Sequence, residues 1–335
     1  MLFNLSLLAV RTPGVIVGPI ARVLGEVYNW IFNIIYGLTQ ANALGLAIIA
    51  FTLLVKLVLT PLIVKQQKAT FEMQKLQPEM NKIKKKYENK KDAESQQKMA
   101  LEMQKLQKDN NVSMFGGCLP LLIQLPILYA LFYIFQQAYM YVDVVGQNYD
   151  AISNVILSMP VDLRMDVFGE IAALHAGKST LDLAVMADVK TLVGQITQSE
   201  WQTILASAGS YADQLMPLLT QKMGIEYFLG ISIVDNPGLR FPEIAIPLLS
   251  AGTTYLSSKV MMSRSSSSAM MDDNNPAMQS MKMMNYMMPI MMGVMTVTLP
   301  AGLGIYWTVS NLFQAGQTIV INKFFAAKEH HKQAA

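Results

Sequence analysis

The chain has 335 residues, 52% of them hydrophobic and 15% charged, and its mean hydropathy is +0.31. This is too apolar and too poor in charge for an ordinary soluble enzyme of this length, and it points to a polytopic membrane protein. The net charge of +3 is small but unevenly placed, and the single cysteine, Cys118, excludes an internal disulfide framework and a four-cysteine metal site.

In the N-terminal segment, 1–43, the apolar start of ten residues is too short to span a bilayer. From Pro19 onward Ile20, Val23, Leu24, Val27, Ile31, Ile34 and Leu38 recur at helical spacing, with Arg22, Glu26, Asn29, Asn33 and Gln40 on the other face. The pattern predicts an amphipathic helix in the membrane interface. The alternative is an uncleaved signal anchor that adds a span.

Apolar stretches of about 20 residues match the thickness of the hydrocarbon. Five occur, at 44–63, 117–139, 242–262, 282–299 and 301–322. The last two are separated by little more than Pro300 and Gly302, which predicts a tight antiparallel hairpin. Between the first two, 64–112 carries twelve lysines from Lys65 to Lys108, so this loop is expected in the cytoplasm. In 140–241 acids outnumber bases about two to one, so that stretch is expected outside. The loop 263–281 and the tail 323–335, with Lys323, Lys328 and Lys332, return inside. The expected topology is five spans, N-terminus out and C-terminus in.

Within 64–112, Met73, Leu76, Met80, Ile83 and Tyr87 line one arm and Met99, Met103 and Leu106 the other, with a break at Asn89 to Asp92. This reads as a helical hairpin in which Pro78 kinks or restarts the first arm. Two readings of its lysines stay open: a solvated face, or contact with anionic lipid or ribosomal RNA. The stretch 140–241 reads as a helical insert, with periodic segments at 179–196 and 200–222. Its one histidine, His175, marks no catalytic constellation, and His330 and His331 read as solvated.

Lys56 stands inside the first span. A lysine at the centre of a membrane helix costs about 2.5–3.5 kcal/mol on insertion scales, so such a residue faces a protein interior or a watery cavity, or it snorkels. Lys56 precedes Lys65 by nine residues, roughly 13 Å of helix rise, about twice the reach of its side chain. Thr52 and Thr60, four residues to either side, share its face and make a polar stripe. Gln124 in the second span, Ser250, Thr253, Thr254, Ser257 and Ser258 in the third, and Tyr306, Trp307, Ser310, Asn311, Gln314 and Gln317 in the fifth offer matching polar positions. The hydroxyls can bond their own helices, but the amides need partners or water. Together these residues describe a hydrated groove within the membrane.

The methionines of the fourth span and its approach, Met278 to Met295, suit adaptable apolar packing. Met287 and Met291 have the spacing of a Cu(I) pair, but no cysteine or histidine accompanies them. GxxxxGK, HExxH and GxSxG patterns are missing, so the expectation is no enzyme, no cofactor and no bound metal. A serine–lysine protease built on Lys56 lacks a serine on its face. A small anion or metal transporter using Lys56 or the methionines is the alternative function.

The segments "FTLLVKLVLTPL", "FGGCLPLLIQLPILYALFY" and "NPAMQSMKMMNYMMPIMMGVMTVTLPAGLGIYWTVSNLFQ", in this order around a charged hairpin, resemble the YidC/Oxa/Alb family of membrane protein insertases, in its five-span bacterial form. The likeness covers roughly 20–140 and 226–325. It implies an all-α fold with five transmembrane helices around a hydrophilic groove, open to the cytoplasm and the lipid, an interfacial N-terminal helix and a cytoplasmic helical hairpin. It implies nascent membrane proteins as clients, and the ribosome and Sec translocon as partners, without a nucleotide. The groove's basic residue, usually arginine, matches Lys56; the threonine a turn earlier matches Thr52, and the aromatic of the fifth span matches Trp307, beside Tyr306. Gln124 lies in the matching GGCLPLLIQ segment. Two features depart from the pattern: no lipobox cysteine precedes the first span, and the insert at about 141–225 is larger than expected.

Overall fold

The backbone is almost wholly α-helical, as long runs of Leu, Met, Gln, Lys and Ala favour. The computed structural model describes residues 14–15, 17–88, 90, 92–110, 119–176, 180–262 and 276–334. Cys118, residues 1–13 and 263–275 of the predicted loop 263–281 lie outside the described residues. The described helices are α1 (Val17–Thr39), α2 (Ala43–Tyr87), α3 (Ala93–Asp109), α4 (Leu119–Gln136), α5 (Ala138–Tyr141), α6 (Asp143–Ser158), α7 (Val161–His175), α8 (Met186–Val193), α9 (Gln198–Ser207), α10 (Ala212–Glu226), α11 (Ala245–Met262), α12 (Pro276–Thr298) and α13 (Ala301–Ala334). A two-residue antiparallel pair, β1 (Tyr227–Phe228) and β2 (Ile231–Ser232), follows α10.

One helical stretch among the described residues, Ala43–Met73, is long and apolar enough to cross a bilayer; Gln124–Gln136 and Tyr286–Thr298 are apolar but shorter. The predicted first span is thus the opening of a longer helix. Pro61 and Pro78 both lie inside α2, so Pro78 does not restart the arm. Each proline removes one backbone donor, and the ladder continues around it.

The chain packs as two units, each described by itself. The first comprises Met1–Thr52, Pro126–Ser250 and Met292–Trp307. Here α1 buries Ala21, Gly25, Tyr28, Ile31 and Phe32. The Tyr28 ring meets Phe51 and Phe135 edge-on, at 5.7 and 5.6 Å between centroids, and its hydroxyl donates to the Leu44 carbonyl at 3.1 Å. Gly25 is required by close approach, since a Cβ there would fall 2.5 Å from the Tyr141 ring. Val23, Trp30, Ile34 and Leu38 are left exposed, so the apolar arc of α1 divides into a packed face and an open stripe. Asn29, on the polar face, bonds Asp143 at the start of α6: its Nδ2 donates to Oδ2 at 2.7 Å and its Oδ1 accepts the Asp143 N–H at 3.1 Å. That satisfies one of the free donors of a helix N-terminus.

The insert folds around Tyr149, Ile152 and Ile156 of α6, Phe168 of α7, Val189 and Leu192 of α8, Trp201 of α9 and Leu215 of α10. Its α9 begins with a capping box between Thr197 and Glu200. After β2 the chain bonds the α12–α13 turn: the Ala301 N–H donates to the Asp235 carbonyl at 2.9 Å, and the Gly302 N–H to the Ile233 carbonyl at 2.8 Å. A Cβ on Gly302 would lie 2.9 Å from Ile233 and Ile48, which is why this turn carries glycine.

The second unit comprises Leu53–Leu125, Ala251–Met291 and Thr308–Ala335. Its α2 and α3 pack through buried Leu76, Met80 and Tyr87; the Tyr87 hydroxyl and Lys86 Nζ both donate to Glu102 Oε1, at 2.9 and 2.7 Å. Phe71 stacks on Phe325 of α13 at 5.9 Å. Along α2 the burial is inverted relative to a water-soluble helix, because Leu53, Leu54, Leu57 and Val58 are exposed while Lys56 is buried. The same inversion recurs on α13, where Leu312, Ile319 and Val320 are exposed and Ser310 and Thr318 buried. On α12, Met283, Tyr286, Met287, Ile290 and Met291 are exposed together.

Candidate functional site

In the second unit, helical spacing sets Lys56 and Thr60 on one face of α2. Lys56 is 7% exposed, yet its ammonium has no acidic or hydrogen-bonding partner among the described residues. The Thr60 hydroxyl donates to the Lys56 carbonyl at 2.8 Å and accepts from Gln317 Nε2 at 2.9 Å. Two turns further along α2, Gln67 Nε2 donates to the Thr318 hydroxyl at 2.9 Å. Each glutamine keeps a buried amide oxygen, Gln317 Oε1 and Gln67 Oε1, without a donor among the described residues. A buried amide oxygen without a donor costs about 1–3 kcal/mol, and an unpaired buried ammonium more. The stripe therefore combines a cation with acceptors that the fold leaves unsatisfied.

The remaining polar positions of this unit pair between α11 and α13. Asn311 Nδ2 donates to the Thr254 hydroxyl at 2.8 Å, and Gln314 Nε2 lies 3.7 Å from the Met261 sulfur, a weak acceptor. Gln124 of α4 is half-buried. Of the residues expected in the groove, Lys56, Thr60, Gln124, Asn311 and Gln314 belong to this unit, while Thr52, Tyr306 and Trp307 belong to the first. Thr52 is fully buried, and its hydroxyl donates to the carbonyl of Ile48, its own helix. Tyr306 is buried and Trp307 partly so.

Gln317 is among the polar positions expected of the fifth span, whereas Gln67 is not. Gln317 follows Gln314 by three residues, the spacing of neighbours on one helical face, and that was the signal to follow. Gln67 lies beyond the predicted end of the first span, so only the continuation of α2 brings it to Thr318. Among the described residues no group of three or more His, Cys, Asp or Glu is placed to hold a metal ion.

Residues 34–329 match the model of the family described as the 60Kd inner membrane protein. Similar curated proteins carry the name membrane protein insertase YidC. That of Oceanobacillus iheyensis is 29% identical over 90% of this chain and 82% of its own length. Those of Enterococcus faecalis and Clostridium perfringens are also 29% identical, over 91% and 90% of this chain and 79% and 91% of their own. A match this long, through the helices that carry Lys56, Gln124 and Asn311, means that the chain belongs to the YidC/Oxa/Alb family of membrane protein insertases.

Proposed function

We propose that this protein is an insertase and chaperone, not an enzyme, which moves short polar tails of other membrane proteins across the bilayer and releases their helices into lipid. The work is done in a hydrated groove whose charge is Lys56, with Thr60, Gln124, Asn311, Gln314 and Gln317 as its polar wall. The observation that carries this reading is a buried ammonium with no counterion among the described residues, on a helix whose leucines face outward. An acidic residue of a client tail supplies the missing charge for as long as it stays.

The reading needs several spans, and the inverted burial along α2 and α13 supports them, as does the exposed methionine face of α12. In the bacterial cell membrane, with N-terminus outside and C-terminus inside, the hairpin of α2 and α3 meets the cytoplasm and the insert the exterior. Nascent membrane proteins are the clients. The ribosome and the Sec translocon are the partners that family membership implies. Burial of the client's apolar helix in lipid supplies the main drive, at about 25 cal/mol per Å². A potential positive outside draws each acidic charge outward with about 2.3 kcal/mol per 100 mV. No nucleotide is consumed.

Lysine can replace arginine here as a point charge, without the planar fork. Insertion of an acidic-tailed client into proteoliposomes is expected to fall sharply in Lys56→Ala and to persist in Lys56→Arg. Full activity of the alanine variant overturns the role of the groove charge.

A further inference from the structure

The helical insert lines a partly open cavity of about 120 Å³ between α9, α10 and the segment after β2. At about 30 Å³ per water in the liquid, this is room for roughly four waters or a short chain of about five heavy atoms. Its wall includes Trp201, Leu219, Met223 and Tyr227, interrupted by two glutamines and by Lys222, Glu226 and Asp235.

The charges in this wall do not balance. Lys222 Nζ donates to Glu226 Oε2, and the Tyr149 hydroxyl donates to Glu226 Oε1 at 2.6 Å, so both Glu226 oxygens are occupied. Asp235 has no ion pair among the described residues. Its backbone is fixed on both sides, by its N–H to the Ser232 hydroxyl at 3.3 Å and by the Ala301 N–H to its carbonyl. One ammonium thus faces two carboxylates, and the negative charge left over stands among aromatic and aliphatic side chains. Burial pushes the Asp235 carboxyl above its ordinary range, with Lys222 acting in the opposite direction and too weakly to cancel it.

We propose that this cavity binds a small alkylammonium, its charge paired with Asp235 and its chain of about four carbons lying against Leu219, Met223 and the rings of Trp201 and Tyr227. Other occupants fit the chemistry less well. An anion meets two carboxylates, and a neutral apolar molecule leaves Asp235 uncompensated. A hard metal ion needs several oxygens, and this wall has one carboxylate outside an ion pair, itself hydrogen-bonded to Ser232. Because the Asp235 backbone bonds Ala301, occupancy also stiffens the turn from which α13 starts. The inference concerns the insert alone and stands apart from the insertase reading.

The test uses the full-length protein in nanodiscs, with Trp30→Phe and Trp307→Phe so that Trp201 is the one indole of the three. Titration with n-butylammonium is expected to change Trp201 fluorescence saturably, and 1-butanol and butyrate are expected not to. Asp235→Asn, which keeps the shape and the backbone bonds, is expected to weaken n-butylammonium at least tenfold. Equal binding of 1-butanol, or unchanged binding in Asp235→Asn, overturns the proposal. A second variant fills the cavity with one substitution, Met223→Trp, at a side chain already 40% exposed. It is expected to abolish n-butylammonium binding, read by calorimetry, at an unchanged melting temperature, and retained binding overturns the site.

Discussion

Lys56 and Lys222 are two lysines buried to the same degree, 7% and 8% exposed, in different units of the molecule, and their surroundings are opposite. Lys222 lies one helical turn from Glu226, which is 1% exposed and also takes the Tyr149 hydroxyl. Every charge in that trio has its complement within the chain, so the trio is structure. Lys56 has a threonine turn on its own helix and amides beyond it, but no carboxylate among the described residues. Burial alone therefore does not identify a working charge. The missing counterion does, because a cation left unpaired at a cost in stability persists only where something else uses it.

The comparison breaks most visibly in stability. Lys222→Met strands the Glu226 carboxylate in the insert and is expected to cost about 3–5 kcal/mol, seen as a large drop in the melting temperature of the purified protein. Adding Glu226→Leu should recover most of it, since both charges then leave together. Lys56→Met is expected to leave the melting temperature unchanged or raised while insertion fails. A loss of stability at Lys56 equal to that at Lys222 would mean that both lysines are structural.

A smaller effect is expected at Gln317→Leu, which removes the amide donor to Thr60 but leaves Thr60 bonded to the Lys56 carbonyl. The loss is about 1 kcal/mol of stability, with insertion of acidic-tailed clients reduced by less than in Lys56→Ala. Initial insertion rates of the two variants, measured side by side, check this order.

The smallest effect is in pH dependence. The folded Asp235 carboxyl titrates above its ordinary 3.8 because of burial, so in the window from there upward the folded state holds more protons than the unfolded one. Stability should fall as pH rises through that window, and Asp235→Asn should flatten that limb. Denaturation midpoints taken from pH 4 upward would reveal it, and a limb unchanged by the substitution would remove Asp235 as its source.

The candidate site was legible to different depths. Lys56 with Thr60, and Asn311 with Gln314, could be read from spacing, because residues three and four apart on a helix share a face whatever surrounds it. The partners could not. That Gln317 reaches Thr60 and Asn311 reaches Thr254 depends on which helices are neighbours, 257 and 57 residues apart in the chain. Asn29 illustrates the same limit: its polar face reads as water-facing, yet it bonds the start of α6 from 114 residues away. The Lys222–Glu226 pair was open to a reading from its spacing of four, but nothing in the chain marks that turn as buried.

By itself the sequence determined the helical character, the apolar stretches, the basic hairpin and the polar stripe on either side of Lys56. Composition and periodicity are local properties that any helix of these residues must display. The tertiary structure alone decided that α2 runs unbroken through Pro61 and Pro78 to Tyr87, and that α1 packs one apolar face and leaves another open. It also decided that one buried lysine has a carboxylate partner and the other, among the described residues, has none. Those outcomes depend on contacts between distant segments, where packing and charge pairing are settled after each helix already exists.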